Sequence, residues 1–212
     1  MTSVLRGRVV PLAVLFVAVP ALVASLVWAV GGDARRSEPP PPAGAVSGLG
    51  PVHDLAGAEA AAERFADRWD LHVGEVMRFT DGYYAQLVDA KGKGATEVLV
   101  EPGSGTVHPE FGPAMSWNTE YGMMPRRVEP GATTLGPGQA VRIADRWLRE
   151  HRPALRAADP VEFPGYYTLH TLRGDRIEGM LSVNSVSGRV WYHTWHGRFL
   201  ELSGHSPAPG AP

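Results

Sequence analysis

The chain has 212 residues, room for one large domain or two small ones, and its 44% hydrophobic and 20% charged side chains are an ordinary globular balance. Twenty basic against 22 acidic residues leave a formal charge of −2, which removes the electrostatic case for a nucleic-acid binder. The absence of cysteine excludes disulfides, thiolate zinc sites, cysteine nucleophiles and a lipidated N-terminal cysteine.

From Val9 to Val30 the chain runs 22 residues without a charge. As a helix that stretch spans about 33 Å, enough for a hydrocarbon layer of about 30 Å, so residues 1–31 are expected to form a transmembrane anchor. Pro11 and Pro20 are tolerated in such spans, Trp28 suits the headgroup level, and the short basic N-terminus with Arg6 and Arg8 favours an N-inside orientation. The competing reading is a cleaved secretory signal ending near Val27-Trp28-Ala29, although its apolar core is longer than signals use. Both readings put everything after residue 33 outside the cytoplasm: a single-pass cell-membrane protein, or alternatively a secreted one. Residues 32–56 follow as a linker stiffened by four consecutive prolines.

The soluble part repeats itself. Ala66-Asp67-Arg68-Trp69 recurs as Ala144-Asp145-Arg146-Trp147, Gly82-Tyr83-Tyr84 as Gly165-Tyr166-Tyr167, and Ser104-Gly105-x-Val107 as Ser187-Gly188-x-Val190. In the first copy, Ala58, Ala62, Phe65, Ala66 and Trp69 make one apolar helical stripe; in the second, Ala140, Ile143, Ala144, Trp147 and Leu148 do. The shared Asp and Arg then face solvent. After each helix the period drops to two: YYAQLV (83–88), TEVLV (96–100) and a strand through Val107, then YYTLHTL, IEGMLSV and RVWYHTW. The expected fold class is α+β, with two repeated units, each one helix packed on a three-stranded antiparallel meander, behind one transmembrane helix. The units are placed at 57–112 and 137–201, with a connecting strap at 113–136 and a flexible tail at 202–212. Duplication also predicts like surroundings for Trp69 and Trp147.

The two ADRW helices, Glu101-Pro-Gly-Ser-Gly-Thr-Val107 and Val183-Asn-Ser-Val-Ser-Gly-Arg-Val190 resemble the PepSY family, named for the propeptides of secreted peptidases. The resemblance implies a small non-catalytic module outside the cytoplasm, often membrane-tethered and repeated, that binds or restrains a partner such as a peptidase. It brings no family-wide catalytic residues.

Residues 109–136 depart from a plain tandem. Phe111, Met115, Trp117, Tyr121, Met123 and Met124 crowd within 14 positions, and so much apolar surface must be covered by the domain or by something else. Trp117 and Tyr121, with the outward member of each tyrosine pair, taken as Tyr83 and Tyr166, are therefore candidate partner contacts. Strand edges of a small meander also accept an extended peptide. A second reading makes Met115, Met123 and Met124, with His108 and His193, soft ligands for copper, the one cofactor considered; His193 and His196, three apart on a strand, would face opposite ways. No hydrolase, phosphate-loop or dinucleotide motif occurs, and Glu97, Glu110 and the other carboxylates are scattered. The expected role is a non-catalytic binding protein for an extracytoplasmic partner, with a copper-binding envelope protein as the alternative.

Overall fold

A computed structural model describes residues 44–123 and 134–203, all within one unit spanning Pro41–Pro212. The Val9–Val30 run, the proline stretch and Met124 lie outside these residues. Among the described residues no helix is long and apolar enough to cross a membrane.

Helix α1 (Leu55–Ala66) begins at Asp54, whose carboxylate accepts from Gly57 N at 2.8 Å, and closes in a 3-10 turn over Asp67–Trp69. Four strands follow: β1 (His72–Phe79), β2 (Gly82–Val88), β3 (Gly94–Val100) and β4 (Val107–Pro109). A short helix α2 (Pro113–Ser116) leads toward α3 (Pro137–His151), which starts on Pro137 with Gln139 Oε1 accepting from Gly136 N. The second series is β5 (Arg156–Phe163), β6 (Tyr166–Arg173), β7 (Arg176–Asn184) and β8 (Val190–Tyr192), and it ends with β9 (Phe199–Ser203). Each meander thus has four strands, not three. The strand missed in each copy lies between the helix and the tyrosine pair, where a bulge interrupts the period-two pattern, between Val73 and Val76 in β1 and between Ala158 and Val161 in β5.

All neighbours are antiparallel, in the orders β4-β3-β2-β1-β9 and β5-β6-β7-β8. The fold is α+β with two antiparallel sheets. Residues 199–203, expected as the end of the second unit and the start of a flexible tail, instead form a strand that completes the sheet of the first, with Met77 opposite Leu202 and Phe79 opposite Phe199. One face of each sheet carries its helix, over a core of Ala58, Ala62, Phe65, Val76, Tyr83 and Val98 in one half and Ala140, Ala144, Leu148, Tyr167, Leu169 and Leu181 in the other. The opposite faces meet each other through Met77, Phe79, Tyr84, Leu99 and Met180. The order of layers is helix, sheet, sheet, helix.

The duplication is visible in bonds as well as elements. Glu63 Oε1 accepts from Val73 N, and Asp145 Oδ1 from Ala157 N, each tying a helix to the strand after it. The Tyr83 hydroxyl donates to Val52 O and the Tyr167 hydroxyl to Leu135 O, just ahead of each helix. Val100 pairs with Val107 as Val183 pairs with Val190, and the intervening turns use Gly105 and Gly188 at φ 69° and 67°.

These equivalences revise the matched words. Asp54 and Gly136, the two helix caps, stand 82 apart, whereas the ADRW words stand 78 apart, so the repeated tetrapeptide is slipped by about one helical turn. The counterpart of Trp147 is Phe65, and Trp69 matches His151. Accordingly Trp69 and Trp147 do not share an environment. Trp69 is 52% exposed and meets Tyr121 edge-on, whereas Trp147 is half-buried between His151 and Tyr192. The tyrosine pair is slipped by one residue too: Phe79–Gly82 and Phe163–Tyr166 close the equivalent hairpins, so Tyr83 answers to Tyr167. Asp145 is not simply solvated, since it holds the start of β5.

Candidate functional site

The sheet-to-sheet interface contains a polar seam built from both halves. Tyr84 on β2 donates to Glu97 Oε1 on β3 at 2.7 Å. Glu110, just past β4, donates its backbone N–H to Glu97 O at 2.9 Å, and its carboxylate accepts from Ala114 N at 3.3 Å. From the other half, His193 Nδ1 lies 3.1 Å from Glu110 Oε1, and the Trp195 indole N–H reaches the same oxygen at 3.1 Å. His193 Nε2 meets Ser182 Oγ at 2.9 Å, and Ser182 Oγ meets Thr168 Oγ1 at 2.8 Å. Glu97, Glu110, Ser182 and His193 are all fully buried. Glu97 Oε2 and the facing Tyr166 hydroxyl are buried without a hydrogen-bond partner.

Burial, and then the neighbouring Glu110, raises the Glu97 carboxyl above its ordinary value. For His193, burial pulls the pKa down, but the charge and hydrogen bond of Glu110 outweigh it and the net shift is upward. A second contact between the halves joins His170 on β6 to Glu75 on β1 at 2.9 Å, with Asp159 Oδ2 at 3.5 Å from the other ring nitrogen. There too burial lowers and the carboxylates more than compensate, so His170 is raised.

Ser182, His193 and Glu110 follow the order hydroxyl, imidazole, carboxylate that activates a nucleophile. Here the serine sits in mid-strand, its oxygen shared with Thr168 and closed to solvent, so a substrate carbonyl reaches it only if the sheets part. The network binds one half to the other. Sequence reading noted Glu97 and Glu110 as scattered carboxylates and found no spacing that joined them; Ser182 and His170 drew no notice. One signal was present: a glutamate inside the apolar run of β3, a strand buried along its whole length.

The residues singled out earlier fall in several places. Tyr83 and Tyr166 are both buried, Tyr83 against α1 and Tyr166 in the seam, so neither offers a ring to a partner. Tyr83 is the member of its pair that faces the helix, and Tyr166 faces the other sheet, whose packing covers it. Trp117 is half-buried and meets Trp191 edge-on, and Tyr121 is half-buried against the first core. The described part of the strap touches both halves, with Asn118 Nδ2 donating to Ala95 O and Thr119 N to Pro164 O. Met123 N donates to Met115 O at 3.1 Å, with Met123 exposed. His108 is buried and stacks on Phe111 at 4.4 Å, while both ring nitrogens of His193 are engaged in the seam. His193 meets Ser182 and Glu110, whereas His196 Nδ1 meets Gly197 O and its ring stacks on Phe79. The chain leaves β8 at Tyr192, so strand alternation no longer applies, and both rings are buried.

A groove of about 840 Å³ opens between the last strands of the two sheets, lined by Arg152, Arg173, Arg176 and Arg198 and by Leu200 and Leu202 of β9. The two leucines are 43% and 42% exposed. Gly197, at φ 61°, turns the chain into β9 along one side, where a side chain would collide with Thr80 and Asp81.

No protein-family model and no curated protein matches the chain. Among solved structures, the C-terminal domain of YpeB from Bacillus megaterium is similar at 8% identity and a TM-score of 0.33, over 68% of this chain and 67% of that one.

Proposed function

We propose that this chain is a non-catalytic, membrane-anchored extracytoplasmic protein whose two PepSY-like units bind or modulate a partner, such as a peptidase or another envelope protein. The observation that carries the reading is the division of labour between interior and surface. Glu110, His193, His170 and Glu75 are spent on bonds between the halves, whereas the open groove presents guanidiniums and uncovered leucines. Apolar surface rimmed by arginine is the composition of a recognition surface. The long apolar run at 9–30 supports tethering to a membrane, and the helix-on-antiparallel-sheet repeat supports the PepSY-like reading.

The test is photo-crosslinking of the full-length chain in its own membranes, with the crosslinker at position 202 in one experiment and at Trp191 in another. A single extracytoplasmic protein is expected to be enriched over a crosslinker placed at Lys91, in an exposed hairpin loop. Equal yields at every position would overturn the reading.

A further inference from the structure

The geometry points to an extended acidic peptide as the occupant of the groove, paired along the outer edge of β9 with its carboxylates on Arg152, Arg176 and Arg198. The inference rests on the binding-protein reading above and gives its surface and its ligand class. β9 ends its sheet, with β1 as its one strand partner among the described residues, so its other edge presents unpaired N–H and C=O groups.

The charge lining the groove is not balanced. Glu178 is taken by Arg173 through two hydrogen bonds of 2.8 Å, and Asp175 lies 3.3 Å from Arg156. Among the described residues, Arg152, Arg176 and Arg198 have no carboxylate within ion-pair reach. Arg152 is nonetheless held in place, its guanidinium 4.6 Å over the Tyr192 ring, which leaves its donor edge free. Leu200 and Leu202 supply the apolar half of the surface.

An alternating acidic and apolar strand fits this combination, because its side chains point to opposite faces at successive residues. A lipid surface shares the charge and the grease. It fits less well, since guanidiniums set around a concavity cannot all reach one plane.

The experiment uses the full-length chain in detergent micelles and a labelled peptide of alternating Glu and Leu, about eight residues long. Binding followed by fluorescence anisotropy is expected, weakening as salt is raised. The R152Q/R176Q/R198Q variant is expected to bind about tenfold more weakly, and the matching Arg→Lys variant to recover part of that loss. A peptide N-methylated at alternate residues should fail to bind, because the backbone donors that pair with β9 are gone. Unchanged melting of both variants controls for folding.

Any of these peptide results would overturn the proposal: no binding of the Glu–Leu peptide, equal binding of a Lys–Leu peptide, equal binding by the glutamine variant, or equal binding of the N-methylated peptide. Attachment to phosphatidylserine vesicles in place of peptide would overturn it in favour of a lipid surface. If the glutamine variant still crosslinks its membrane partner from Trp191, the binding-protein reading stands and the groove does not.

Discussion

Glu97 is a carboxylate whose burial and nearness to Glu110 outweigh the His193 and Tyr84 contacts that favour its charge. One oxygen accepts from Tyr84, the other has no partner, and Glu110 lies alongside. Because the folded state raises the proton affinity of Glu97, protonation favours the fold, and stability should fall as pH rises from the ordinary carboxyl value of 4.5. His193 and His170 are also raised in the folded state, so each contributes stability that is complete below 6.5 and lost as pH climbs through its folded value. His196, lowered chiefly by burial, has the opposite sign and adds stability as pH rises toward 6.5. Denaturant unfolding from pH 4.5 to 8 should therefore show a net decline. Glu97→Gln keeps an acceptor for Tyr84 while removing the charge. It should flatten the acid end of that profile and stabilise the protein at pH 8 by about 1–2 kcal/mol. Destabilisation of the Gln variant at pH 8 would show that the charge is compensated.

At the scale of elements, the two helices read alike yet bear their tryptophans differently. Trp147 packs on Tyr192 and His151, so Trp147→Ala should cost about 3 kcal/mol; Trp69→Ala, at a half-exposed helix end, should cost about 1 kcal/mol or less. Equal losses in urea unfolding would contradict the one-turn offset between the copies. The helical stripes, the hairpins and the glycine turns at 105 and 188 were legible because each depends on neighbours within a few residues. The ADRW word misled for a physical reason: a slip of one turn preserves the buried face, so periodicity cannot detect it. β1 and β5 were hidden by their bulges, and β9 because its partner lies far off in sequence. The seam was illegible for the same cause. Glu110 and His193 meet only once two sheets have stacked.

For the molecule as a whole, neither half is complete. Residues 44–123 alone would lack β9 and leave Met77, Phe79, Tyr84 and Leu99 without their cover from Met180, Trp195 and Phe199. That fragment should unfold without cooperativity in urea and bind a hydrophobic dye, whereas residues 44–203 should show one transition. A sharp transition from the fragment would mean that the helix-side core suffices. The exchange also explains why the linking strap touches both halves: it crosses a shared body, not a gap between two domains.

The return of β9 to β1 has a consequence for synthesis. On the ribosome, His72–Phe79 emerges long before Phe199–Ser203, and the intervening meander is made first. The early sheet must wait with one border bare, and ring closure across so long a stretch of chain is slow. A message cut short anywhere before residue 199 yields a product whose sticky border never closes, the kind of surface that proteases and chaperones seize.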